Sequence, residues 1–199
     1  MPWRLPIPET ERRTLAWFVV VFALTIIAWA AAHDLYLISV EPRHFTEYHR
    51  PLLPLSDHRA LALQYATVAT LGPGMVFGAL AFAVCRLGPR ARPTLRFAWR
   101  LFLPFIVLIE ASALSVGAWA RARYAAGQSL PYPEWLYPDT TAGIAYSQSV
   151  NVTAYLAATV LGGGYLITLA WISRRSNRRQ ADTKQSHPKY PLGNRPGDV

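Results

Sequence analysis

Glu110 is the one charged residue in an otherwise apolar stretch that runs from Leu101 to Ala120. It follows Arg100 by ten residues, which places it ~15 Å along a helix and about halfway through a hydrocarbon core of ~30 Å. An ionised carboxylate is costly at that depth, so Glu110 should face the bundle interior, a water-filled cavity or a partner. We therefore expect Glu110 to be neutral and hydrogen-bonded unless a cation approaches it.

Possible partners for Glu110 lie at a similar depth in the other apolar stretches. Pro73 cannot donate a backbone hydrogen bond to the carbonyl of Ala69, and that freed carbonyl could accept the Glu110 proton. The predicted intramembrane polar site consists of Glu110, Thr70, Pro73, Thr25 and Thr159. Such a site either joins helices, at about 0.6–2 kcal/mol per hydrogen bond, or carries a proton, binds an ion or contacts a quinone.

Residues 33–59, between the first two apolar stretches, hold four of the five histidines and four acidic residues. Imidazoles and carboxylates bind zinc and other divalent metals, so the candidate metal ligands are Glu41, His44, His49 and His58. A haem held between His33 and His58 is a redox alternative. The simpler interpretation is that these histidines hydrogen-bond carboxylates or lipid phosphates. The sequence identifies no cofactor, and we expect none.

A second long connection, residues 121–146, is rich in proline and aromatic residues. Prolines restrict its backbone to extended conformations, and the aromatic side chains project from it at short intervals. Tryptophan and tyrosine favour the membrane surface, and they also dominate binding hot spots. The segment is therefore interpreted either as a flap on the membrane or as a partner-docking loop formed by Tyr132, Trp135 and Tyr137.

Four apolar stretches are long enough to form membrane-spanning helices, which need about 20 residues each. A soluble helical bundle would carry polar residues at every third or fourth position, and these stretches do not. The predicted fold is all-α, a polytopic four-transmembrane-helix bundle over residues 1–173 with spans at about 14–33, 60–85, 98–120 and 148–172. The basic remainder, residues 174–199, is predicted to be a disordered tail.

Small residues recur every four positions in the second and fourth stretches, a pattern that allows close approach of helix backbones. The predicted helix-packing residues are Gly74, Gly78, Ala158 and Gly162. The pattern leaves open whether they pack against each other or against another subunit. The single cysteine, Cys85, excludes a disulfide scaffold, an iron–sulfur cluster and a CxxC redox pair.

The net charge of +9 is distributed unevenly along the chain. Of the 20 Lys and Arg residues, 15 lie in the N-terminal segment, the connection between the second and third stretches, and the tail. The positive-inside rule then predicts that both termini are cytoplasmic. Because topology accounts for this charge, we expect no nucleic-acid partner. The 18 Arg against two Lys favour a GC-rich bacterial genome, and hence the bacterial inner membrane.

Three functions fit these features. The first is a non-enzymatic subunit or assembly partner of a larger membrane complex, favoured by the small-residue stripes and the aromatic loop. An alternative is a small transporter or proton/ion pathway that uses Glu110. The third is a metal- or haem-binding redox protein that uses the outer-loop histidines. The expected partners are the lipid bilayer and other membrane subunits or further copies of the chain. No GxSxG motif or Cys–His pair indicates an enzyme.

Overall fold

A computed structural model describes residues 9–49, 53–86, 93–137 and 139–186, and all regular secondary structure in these ranges is helical. Within these described ranges the elements follow one another without a sheet, in keeping with the predicted all-α class. They are α1 (Glu9–Val40), α2 (Arg43–Thr46), α3 (His58–Arg86), α4 (Leu95–Ala125), a 3₁₀ turn (Glu134–Leu136) and α5 (Ala142–Ser186).

In the part of the chain that the structure describes, four helices are long and apolar enough to cross a membrane, which confirms the number of predicted spans. Their candidate membrane segments have mean hydropathies between 1.6 and 2.4 over their most apolar windows. Each segment is longer than the span predicted from apolar length, because polar residues at its ends also remain helical. The segments are Glu11–Val40, His58–Arg86, Leu95–Ala125 and Ala142–Arg174.

The bundle is built from two antiparallel helix pairs. α1 packs most extensively against α3, and α4 against α5. At one end of the first pair, Arg86 Nε of α3 lies 3.4 Å from Glu11 Oε2 of α1. In the second pair, the Tyr165 hydroxyl of α5 donates a 2.9 Å hydrogen bond to the Ala98 carbonyl of α4. The two pairs contact each other less extensively than the helices within each pair do.

Glycines set the closest approaches between helices. A Cβ at Gly74 would lie 3.0 Å from Ala23 Cα, and one at Gly78 would lie 3.0 Å from Phe22 Cβ and 3.1 Å from Val19 Cα. These contacts seat α3 directly on α1. Gly162 of α5 similarly packs on the Phe77 ring of α3, and Ala158 lines the central cavity described below. The close approaches of these glycines are therefore made inside a single chain.

Buried apolar side chains form two clusters along the bundle axis. The cluster nearer Glu11 is largely aromatic, with the Phe22 and Phe102 rings stacked at 5.0 Å between centroids. The cluster nearer His44 contains Leu37, Leu61 and Val150. Phe102 of the first cluster and Ala154 of the second both line a cavity that side chains of α1, α3, α4 and α5 surround.

Two helices extend beyond the boundaries expected from the sequence. α1 continues to Val40, whereas its apolar run ends at Ala32. α5 continues to Ser186, into the tail that composition predicts to be disordered. Residues 187–199 of that tail lie outside the described part of the chain.

Candidate functional site

Glu110 is bound by two side chains of α1. Trp29 Nε1 donates a 2.8 Å hydrogen bond to Glu110 Oε2, and His33 Nδ1 lies 2.9 Å from the same oxygen. The His33 side chain is 4% exposed and that of Glu110 is 26% exposed. Glu110 stands midway along α4, so this network joins the two helix pairs through a polar contact inside the candidate membrane region.

These partners differ from the expected ones. The possible partners predicted from the sequence were the freed Ala69 carbonyl and three threonines, and neither Trp29 nor His33 was among them. The difference arises because α1 remains helical for seven residues beyond His33, which turns that side chain into the bundle. The sequence held a signal for this extension, since residues 35–40 are mostly apolar and the first helix-breaking residue is Pro42.

The threonines of the predicted polar site do not contact Glu110 through any hydrogen bond in the described residues. Thr25 Oγ1 instead accepts a 3.1 Å hydrogen bond from Trp99 Nε1. The hydroxyls of Thr70 and Thr159 donate to carbonyls one turn earlier in their own helices. Thr70, Pro73 and Thr159 do share one location, because all three line the central cavity.

The central cavity has a volume of about 340 Å³ and receives side chains from α1, α3, α4 and α5. Most of its wall is apolar, with aromatic rings contributed by Trp29, Phe77 and Phe102. Besides Thr70 and Thr159, its polar side chains are His33, Asp34, Asn151 and Tyr155. A mostly apolar pocket with a few convergent polar groups is the usual form of a small-molecule site.

Two polar groups at this cavity lack partners. In the described part of the chain, the buried His33 Nε2 has no hydrogen-bond partner. Asp34 is partly exposed at the cavity wall, and no hydrogen bond to its carboxylate occurs among the described residues. We placed His33 at the boundary between the first span and the outer loop and Asp34 in that loop, so their role in the cavity was not predicted.

The outer-loop histidines occupy a separate layer at the end of the bundle. His44 is 1% exposed, and its ring lies 4.7 Å from that of His49. Burial, assisted by the neighbouring imidazoles, lowers the pKa of His44 to about 3, so it is neutral at pH 7. Glu41 accepts hydrogen bonds from Arg43 Nε and Nη2, which lower the pKa of that carboxyl.

The predicted metal ligands are not assembled into one centre. Among the residues with a described position, no group of three or more His, Cys, Asp or Glu could hold a metal ion. Glu41 is engaged by Arg43, and His58 is exposed at the start of α3. His33 was one of the two histidines in the haem alternative, and its Nδ1 is directed to Glu110. The predicted ligands stay apart because the tertiary structure places each of these side chains against a different neighbour.

The predicted docking loop is fastened to α5. The Tyr132 and Tyr137 hydroxyls lie 2.7 Å from Thr153 Oγ1 and 2.8 Å from Ser149 Oγ, respectively. Tyr137 is buried, and burial raises the pKa of its phenol. Of the three predicted aromatic residues, only Trp135 is largely exposed to the surroundings, with 79% of its surface accessible.

The arrangement of Glu110, His33 and Asp34 allows proton exchange inside the bundle. An imidazole can take up or release a proton near neutral pH, and intramembrane carboxylates commonly mark ion or proton paths. Asp34 and His33 line a cavity, so a proton or a small molecule there would meet both. In comparisons with known proteins, no protein family, curated protein or solved structure matches this chain.

Proposed function

We propose that this protein is a small transporter or proton/ion pathway in a bacterial inner membrane, with both termini in the cytoplasm. The observation that carries the proposal is the contact of His33 with Glu110 beside the central cavity. The excess of Lys and Arg in the terminal segments and the α3–α4 connection supports the orientation. The predominance of Arg over Lys supports the bacterial assignment.

Interhelical hydrogen bonding explains only part of this network. The bonds from Trp29 and His33 to Glu110 would by themselves hold α1 against α4. They give no reason for a second acid, Asp34, to stand at the wall of an apolar cavity. An acid in that environment is costly, and such residues are usually retained because they bind a proton, an ion or a substrate.

The proposal predicts proton flux that depends on Glu110. Purified protein is reconstituted into liposomes that contain a pH-sensitive dye, and a pH gradient is imposed. The Glu110→Gln variant keeps hydrogen-bonding capacity but cannot exchange a proton. We expect its flux to fall by about a hundredfold, at the lower end of what a positioned proton-transfer group contributes.

The matched control is Glu134→Gln, at an exposed position in the connection between α4 and α5. It should leave the flux unchanged. Equal flux in wild type and Glu110→Gln would contradict the proposal, as would wild-type flux no higher than that of liposomes without protein.

A second candidate function is that of an accessory subunit in a larger membrane complex. The observation that favours it is Trp135, which is exposed on a loop whose neighbouring tyrosines are anchored to α5. A tryptophan exposed on an anchored loop suits a binding hot spot.

If this function is correct, native purification of the wild-type protein in mild detergent yields co-migrating chains. The Trp135→Ala variant should lose these chains, and the Trp119→Ala variant should retain them. This candidate function would be contradicted if the wild-type protein and the Trp119→Ala variant both purify without any other chain.

A further inference from the structure

The charges around the central cavity favour a positively charged occupant. Asp34 lines the cavity, and His33, on the same wall, is paired with Glu110. When both carboxylates are ionised, they outnumber the single imidazole whatever its protonation state. The site is then net negative, and a cation or a proton balances it.

His33 also offers an unused hydrogen-bonding atom. Its Nδ1 is engaged by Glu110, and a proton donated there leaves Nε2 as an acceptor. In the described residues, no donor reaches Nε2, although the side chain is only 4% exposed. A buried polar atom without a partner costs about 1–3 kcal/mol. Because the atom itself is buried, this cost belongs to the fold and does not identify a ligand.

The walls of the cavity determine which kind of cation can bind. Trp29, Phe77 and Phe102 contribute aromatic rings, and the remaining wall is mostly aliphatic. Aromatic faces attract organic cations, by about 0.5–2 kcal/mol. Hard inorganic cations need six or more oxygen ligands, whereas most of this wall is apolar and the Thr70 and Thr159 hydroxyls are bonded to carbonyls of their own helices. An organic ammonium with an apolar body fits both the charge and the wall.

We infer that the cavity binds a protonated amine with an apolar body, with the Asp34 carboxylate as its counter-charge. This inference rests on the proposed function and names the class of cation transported. The exchange starts from the protonated form of the empty site, in which Asp34 is a carboxylic acid. Binding of the ammonium sends that proton to solvent and leaves a carboxylate. One positive charge enters as one leaves, so the charge of the site is unchanged.

The test uses three probes that share an adamantane cage and differ in charge: 1-adamantylammonium, 1-adamantanol and 1-adamantanecarboxylate. Calorimetry on the full chain in detergent measures the affinity for each. We expect the ammonium to bind about tenfold or more tightly than the alcohol, because a hydrogen bond to a charged group is worth about 1.5–3 kcal/mol. The carboxylate should bind more weakly than the alcohol.

Calorimetry in buffers of different ionisation enthalpy measures the number of protons released. Binding of the ammonium to the protonated form should release one proton, so the measured count rises as the pH is lowered, and binding of the alcohol should release none. Asp34→Asn should weaken binding of the ammonium by about tenfold or more without changing the affinity for the alcohol. The control Asp57→Asn alters an exposed acid before α3 and keeps its capping ability, so it should change neither.

Equal affinity for all three probes would overturn the inference, because the cavity would then select only for apolar volume. Ammonium binding that persists at full strength in Asp34→Asn would also overturn it. If that variant fails to fold, the comparison of the three probes and the proton count on wild type still decide. If the probes contradict the inference but proton flux still depends on Glu110, the proposed proton pathway is retained. If the wild-type protein conducts no protons, the proposed function itself is rejected.

Discussion

Replacing Gly78 with leucine is expected to separate α3 from α1 and to lower stability by about 3 kcal/mol, the upper part of the range for overpacking. Even a Cβ at this position would lie 3.0 Å from Phe22 Cβ and 3.1 Å from Val19 Cα. The second of these atoms is backbone, so a change of rotamer cannot relieve the clash. Unfolding in mixed micelles of increasing dodecyl sulfate content measures the loss.

Gly72, on the same helix, is the matched control. A Cβ there meets no atom within 4 Å, and leucine has a better helix propensity than glycine. Gly72→Leu should therefore unfold at the same detergent composition as wild type or slightly later. Equal destabilisation by the two substitutions would mean that helix content rather than the α1–α3 contact decides stability, and the described pairing would be refuted.

Replacing Glu110 with leucine is expected to destabilise the bundle by about 2 kcal/mol, within the range for hydrogen bonds to charged groups. The substitution removes the acceptor for His33 Nδ1 and Trp29 Nε1, which are held at 2.9 and 2.8 Å. His33→Leu removes the same contact from the other side. The double variant should therefore cost less than the sum of the single variants, by about 1–2 kcal/mol.

The same micelle titration measures all three variants. Ser112→Leu is the control, since Ser112 is exposed on α4 near Glu110 and bonds only its own helix among the described residues. It should change stability little. Strict additivity of the Glu110 and His33 substitutions would show that the two side chains do not interact, and the site would lose its central contact.

These experiments separate two roles of Glu110. A leucine at this position tests whether the side chain holds α4 to α1, whereas a glutamine tests whether its proton is needed. A variant that remains as stable as wild type but conducts no protons would assign the residue to the pathway. A variant that is both stable and active would leave only the accessory-subunit candidate, which depends on Trp135.

The number of long helices could be predicted from the sequence because span length and hydropathy are local properties. Four stretches without frequent polar residues predicted four helices long and apolar enough to span a membrane, and the described residues contain four. The positions of close packing were also readable, since glycine at Gly74 and Gly78 permits backbones to meet whatever the partner. Glu110 stood out for the same local reason, as a lone acid among apolar residues.

The partner of Glu110 was decided only by the tertiary structure. Which side chain reaches it depends on the rotation and register of α1 against α4, and on whether α1 ends at Ala32 or at Val40. Both are settled by packing between segments far apart in the chain, here 77 residues for His33 and Glu110. The same continuation of α1 moves Asp34 from a presumed loop to the wall of the cavity. Local composition determines which segments become apolar helices, and the contacts between them determine which polar atoms meet.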